Sequence, residues 1–212
     1  MSSVVTYKGL EMLANRLRGA TPSQAEPLNL GWDTGGYTAA KSDVAAFGEA
    51  PENRVAGGST IATTTTSNDS WQVTGTIVAT GTRTITGVLL SDTTTKPSGT
   101  DSVQAGSAVI GSSSGNTINV GTGASFAINE YIQIRTEAMK VTGVSGNALT
   151  VSRGQNGSAA LTTLAQNDPI TRGNPPGATA VANGNLFLHA DHGATVLAAG
   201  DSIAYTVTVT AS

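Results

Sequence analysis

Residues Ser70–Asp92, SWQVTGTIVATGTRTITGVLLSD, decide how this chain reads. Trp71, Val73, Gly75, Ile77 and Ala79 alternate with Gln72, Thr74, Thr76 and Thr80, the period of two that marks a half-buried strand. Ala79-Thr80-Gly81-Thr82 offers a glycine-containing turn, and Ile85, Gly87 and Leu89 resume the alternation. The expectation is a central β-hairpin. Threonine takes most of its outward positions, where a branched Cβ suits a pleated surface. Charge pairs, cysteine and histidine are missing from the stretch, so it reads as scaffold.

The remainder of the 212 residues has the same character. Charged residues make up 12%, about half the usual share, and Gly, Thr, Ser, Ala and Asn fill the gap. That composition favours short strands and tight turns over long helices. A net charge of −3 without a Lys/Arg cluster argues against direct nucleic-acid binding, which needs a basic stripe. With no cysteine, disulfides and thiolate metal sites are excluded. No apolar run approaches the roughly 20 residues of a membrane-spanning helix. The opening MSSVVTYKGLEML lacks the basic and apolar order of a secretory signal, so assembly in a host cytoplasm is expected.

Tyr7–Gly19 holds the one good helix, with Leu10, Leu13, Ala14 and Leu17 in a single apolar stripe. It either closes one end of a β domain or docks on a partner. Thr21–Leu30 is a connector, Trp32 an anchoring aromatic at a strand end, and Thr38–Glu52 a loop or short helix. Arg54–Thr66 is a strand pairing with the central stretch. Thr93–Thr100 and Arg172–Gly177 read as linkers around a unit of its own. Within that unit, Ser114–Val120 and Ser145–Val151 echo each other as a Gly-Asn turn and a short strand. Tyr131–Arg135 and Met139–Thr142 suggest a hairpin around Thr136–Ala138. Asn185–Ala190 is a strand, Ala198–Asp201 a turn and Ser202–Thr210 the last strand. The expected fold is all-β: a β-sandwich or jelly-roll-like outer domain (1–92 plus 178–212), a small β-barrel inserted at 101–173, and one short N-terminal helix.

Candidate chemistry is sparse. Asp33-Thr34-Gly35 matches the Asp-Thr-Gly of aspartic proteases, but the later glycine-bearing strand of those enzymes is missing. His189, Asp191 and His192 are the one cluster of metal or acid/base type. In a strand His189 and Asp191 share a face and His192 points away, so two ligands converge where zinc needs three or four. They are expected to be polar residues at a strand end. No nucleophile elbow accompanies the two histidines. Ser152–Ser158 lacks the ending of a phosphate loop and reads as a turn, and Glu130, Glu137 and Asp168 stand isolated. No catalytic, cofactor-binding or metal residue is therefore assigned, and an enzyme is not expected.

Several signatures occur in order: Gly31-Trp32-x-Thr34-Gly35, Asn68-Asp69-Ser70-Trp71-Gln72-Val73, Ile85-Thr86-Gly87-Val88-Leu89-Leu90, Asn185-Leu186-Phe187 and Leu197-x-x-Gly200-Asp201-Ser202-Ile203. In these the chain resembles a family of tailed-bacteriophage virion proteins. Ile132-x-Ile134 and Val144-Ser145-Gly146-Asn147-x-Leu149-Thr150-Val151-x-Arg153-Gly154 resemble a small β-module of phage structural proteins. Asp33 departs from the family's glycine, and Gly87–Leu90 from its Glu-Val-Gly-Leu. The resemblance implies a virion structural protein, favouring a capsid cement (decoration) protein on the outer capsid surface over a tail, neck or baseplate appendage. The implied partners are the major capsid protein and copies of the chain itself, a homotrimer fitting the local three-folds of an icosahedral shell. No cofactor, nucleic acid or membrane is implied. A carbohydrate-binding receptor module is the rival, but it would call for more exposed aromatics.

Overall fold

The computed structural model describes residues 3–18, 25–65, 67–96, 101–105, 116–178 and 184–210. In chain order the elements are β1 (Ser3–Val5), α1 (Tyr7–Leu17), β2 (Asn29–Asp33), β3 (Val55–Ala56), β4 (Gly58–Ala62), β5 (Ser70–Val78) and β6 (Arg83–Ser91). There follow β7 (Asp101–Ser102), β8 (Thr117–Asn119), β9 (Tyr131–Ile134), β10 (Glu137–Ser145), β11 (Ala148–Gln155), β12 (Pro169–Gly173), β13 (Leu186–Leu197) and β14 (Ser202–Thr210). The fold is all-β with one short N-terminal helix among the described residues.

Three antiparallel sheets form, in the orders β1-β13-β6-β2-β3, β14-β5-β4 and β7-β12-β9-β10-β11-β8. The first two share a core. Leu30, Trp32, Val88 and Leu90 from one sheet meet Val73 and Ile77 from the other, with Phe187 against Trp71 edge-on.

The expected central hairpin does not form. β5 pairs with β14 and β4, whereas β6 pairs with β13 and β2, so residues 79–82 carry the chain from one sheet to the other. Residues 198–201 make the same crossing between β13 and β14. The two corners lock together: the Ala79 amide donates to Asp201 O (2.8 Å) and the Gly200 amide to Ala79 O (2.8 Å). The result is one long antiparallel ribbon bent across both layers. Burial explains the choice. β5 keeps a solvent face of Thr74, Thr76 and Val78, but β6 is buried on both faces from Gly87 to Ser91. A strand buried on both faces has to lie inside a sheet with material on each side.

The third sheet curls around a core that includes Ile118, Ile132, Met139, Val141 and Leu149. A bridge between Val103 and Val120 ties its two ends together. Gly146-Asn147 turns β10 into β11 as expected, with Gly146 at φ +56°. The β9–β10 turn lies at Arg135-Thr136, earlier than expected, with Arg135 in the left-handed region. Ser152–Gln155 continues β11, and the turn expected there narrows to Asn156-Gly157, both at positive φ. Arg172 and Gly173 belong to β12, so that linker starts later. The first echo's turn, Ser114-Gly115, lies outside the described residues, as do Gly19 and Pro97–Thr100.

The helix turns the unexpected way. Thr6 caps it, its hydroxyl accepting from the Gly9 amide (3.0 Å). The buried positions are Lys8, Gly9 and Met12, while Tyr7, Leu10, Leu13 and Leu17 are exposed, Leu17 at 89%. Lys8 extends along the buried side to Glu11 (3.0 Å) and Ala178 O (3.2 Å).

Candidate functional site

Three aspartates gather on His189. β2 and β13 flank β6 on opposite sides, and Asp33 and Asp191 both stand directly across from Gly87. A Cβ on Gly87 would lie 2.8 Å from Ala190 O and 3.4 Å from Asp33 Cβ, so glycine there lets the flanking side chains close over the central strand. On this side of the sheet Leu89 packs with Ala46 from the segment between β2 and β3. That segment, expected as a loop or short helix, is turns and bends without a helix. It delivers Asp43.

His189 Nε2 lies 2.7 Å from Asp33 Oδ2 and 3.7 Å from Asp191 Oδ1, and Nδ1 lies 2.9 Å from Asp43 Oδ2. His189, Asp33 and Asp43 are buried, and Asp191 is half-buried. Each carboxylate is steadied by a backbone amide: Gly35 N to Asp33 Oδ1 (2.7 Å), Ala40 N to Asp43 Oδ2 (2.8 Å) and Ala39 N to Asp191 Oδ2 (2.6 Å). Burial pulls the His189 pKa down, but the hydrogen bonds and charges of Asp33 and Asp43 outweigh it and push it up to about 10. The cluster also joins two sheets. Gln133 of β9 donates to Asp43 Oδ1 (3.4 Å) and accepts from Val44 N (3.1 Å).

The sequence candidates thus fall out differently from expectation. HADH lies inside β13, not at a strand end. His189 and Asp191 do share a face, while His192 is half-buried and meets the Tyr205 hydroxyl at 3.0 Å. The expectation of two converging ligands left out Asp33, which is 156 residues away from His189 in sequence. Asp33-Thr34-Gly35 is a turn: Thr34 Oγ1 donates to Gly48 O (2.6 Å), and a Cβ on Gly35 would strike Phe47 at 2.0 Å. The isolated carboxylates each face an arginine, Glu130 with Arg172, Glu137 with Arg153 and Asp168 with Arg135. Ion pairs at buried strand ends explain them. A cleft of about 620 Å³, lined by Tyr37, Thr86, Asp191 and His192 among others, opens beside the His189 cluster.

Two surface features stand apart. The Tyr7-Leu10-Leu13-Leu17 stripe lies beside an apolar groove of about 470 Å³ whose walls include Met12, Leu13, Ile61, Trp71, Phe187 and Val209. The second feature is β14, an edge strand nine residues long that pairs on one side only among the described residues. Its sequence SIAYTVTVT has no charge and no proline. No family model, characterised protein or solved structure matched the chain.

Proposed function

We propose that this chain is a non-enzymatic structural protein of a tailed-phage virion, a capsid cement that binds the major capsid protein lattice on the outer surface of the head and stabilises it. The exposed apolar stripe of α1 carries the reading. A soluble monomer gains nothing by turning Leu10, Leu13 and Leu17 to water while burying Lys8, and contiguous exposed apolar surface marks a contact site. Spacing of three and four residues along one helix face suits insertion into a groove or against another helix. The open β14 edge supports self-association into a trimer, since natural proteins block such edges unless a neighbour covers them. The low charge suits a scaffold.

The test is to mix the purified chain with phage heads assembled without it. Binding in hundreds of copies, with heads more resistant to heat, is the expected result. Leu13→Ser with Leu17→Ser should abolish it. Localisation of a few copies at the tail, neck or baseplate would replace cement by the appendage reading.

A further inference from the structure

We propose that Asp33, His189 and Asp191 bind one divalent transition-metal ion of the Zn2+ class, with Asp43 as the outer-shell partner of the histidine. The inference concerns the isolated chain and stands independently of the virion reading.

The donor atoms are already assembled. One oxygen each from Asp33 and Asp191 and one ring nitrogen of His189 lie within 4.8 Å of one another. Zinc bonds of about 2.0–2.1 Å to N and O imply tetrahedral ligand–ligand edges of about 3.3 Å. The observed separations from Nε2, 2.7 Å and 3.7 Å, straddle that value, so small side-chain rotations would admit the ion.

The surroundings are those of a metal site. A ligating histidine usually donates its other ring N–H to a carboxylate, which fixes the tautomer and aims the free nitrogen. Asp43 stands in that position at Nδ1, itself held by Ala40 N and Gln133. Asp33 and Asp191 each give one oxygen to a backbone amide and turn the other towards Nε2. Gly87, opposite both, leaves the space in which they meet.

Charge supplies an independent argument. Three carboxylates share one imidazole, and His189 is the only basic side chain within ion-pair reach of Asp33, Asp43 or Asp191 among the described residues. Even with an imidazolium the group carries a surplus of two negative charges in a largely buried setting, which is costly unless a cation compensates. A divalent ion on neutral His189 reduces that surplus to one. Binding displaces the Nε2 proton to solvent, and the Nδ1 proton stays on the ring, donated to Asp43. The mixed nitrogen and oxygen donors favour Zn2+ and its neighbours over Ca2+, which takes six to eight oxygens. The cleft reaches Asp191, the one half-buried member of the ligand set, and gives the ion a route in. The ion would clamp β2 and β13 together across β6, under the segment that carries Asp43.

The experiment titrates chelator-treated full chain with ZnCl2 by calorimetry, alongside thermal melting and ring NMR of the two histidines. The proposal expects one equivalent bound, a higher melting temperature and perturbed His189 signals with His192 unchanged. Asp191→Asn removes a half-buried ligand, so it tests binding without threatening the fold, and it should weaken Zn2+ by at least ~10-fold. His192→Asn should change nothing. Co2+ should give the visible absorption of a tetrahedral site. The proposal is overturned if Zn2+ leaves the melting temperature and the His189 signals unmoved, if Asp191→Asn binds as well as the parent, or if His192→Asn abolishes binding.

Discussion

Gly9 of α1 rests against the carbonyl of Phe187 in β13: a Cβ at Gly9 would lie 2.3 Å from that oxygen. This contact chooses the helix face. Only a residue without a side chain lets the helix axis come this close, so the stripe of Leu10, Leu13 and Leu17 is turned outward. Gly9→Val should cost about 1–3 kcal/mol by overpacking. Leu13→Ser and Leu17→Ser should each stay within about 0.5 kcal/mol, as exposed sites do. Urea midpoints of the three variants decide it, and the reverse order would place the leucines in the core.

Glu52 fastens the corner between β5 and β6. Its Oε1 accepts from the Thr80 amide (3.1 Å) and hydroxyl (2.9 Å), with Arg83 at 3.2 Å. Burial pushes the carboxyl up, but the Thr80 bonds, its own amide and the Arg83 charge outweigh it and hold the pKa below the ordinary 4.5. The unfolded chain therefore binds the proton more readily than the folded one. The contribution is fully present above pH 4.5 and is lost as pH falls through the lowered value. Glu52→Gln should flatten the acid limb of a stability–pH curve. An unchanged limb would mean the corner is not held by this charge.

Glu137 is a heavily engaged carboxylate of the six-stranded sheet. It accepts from Arg153 Nε and an Arg153 terminal nitrogen (2.7 Å each), and from the amides of Gly154 and Leu161 (2.8 Å each). Arg153→Met strands the buried carboxylate and should cost about 3–5 kcal/mol. Replacing both partners, Arg153→Met with Glu137→Leu, should recover part of that loss. Chemical denaturation of the single and double variants measures the difference, and equal losses would refute the charge argument.

The β14 edge should govern association. Ala204 and Thr206 point to solvent, so lysines there leave the fold alone and place charge along the open edge. Ala204→Lys with Thr206→Lys is expected to lower the native mass to that of a monomer at an unchanged melting temperature. An oligomer that persists would assign the interface to another surface.

Strand existence was legible because alternation is local. Val73 and Ile77 against Thr74 and Thr76 needs only the pleat, and the last strand reads the same way. Partner choice was not. Ala79–Thr82 and Ala198–Asp201 have turn residues that suit either a hairpin or an arch between layers, and nothing within a short window distinguishes them. Two-sided burial of Gly87–Ser91 makes the distinction, and Val88-Leu89-Leu90 was its one sequence trace. The His189 cluster was half legible for a related reason. His189 and Asp191 show their common face in sequence, but Asp33 reaches it only through the β2-β6-β13 order, and Asp43 only through the fold of the segment after β2.

Read alone, the amino acids specify an all-β chain of Thr- and Gly-rich strands, a short N-terminal helix and the tight Gly146-Asn147 turn, because backbone preference and side-chain alternation act over a few residues. Only the tertiary structure decided that the central strands part into two layers, that the helix shows its leucines to solvent, and that three aspartates meet one histidine. Those outcomes depend on which surfaces are buried against each other, and burial is a property of contacts made across the whole chain.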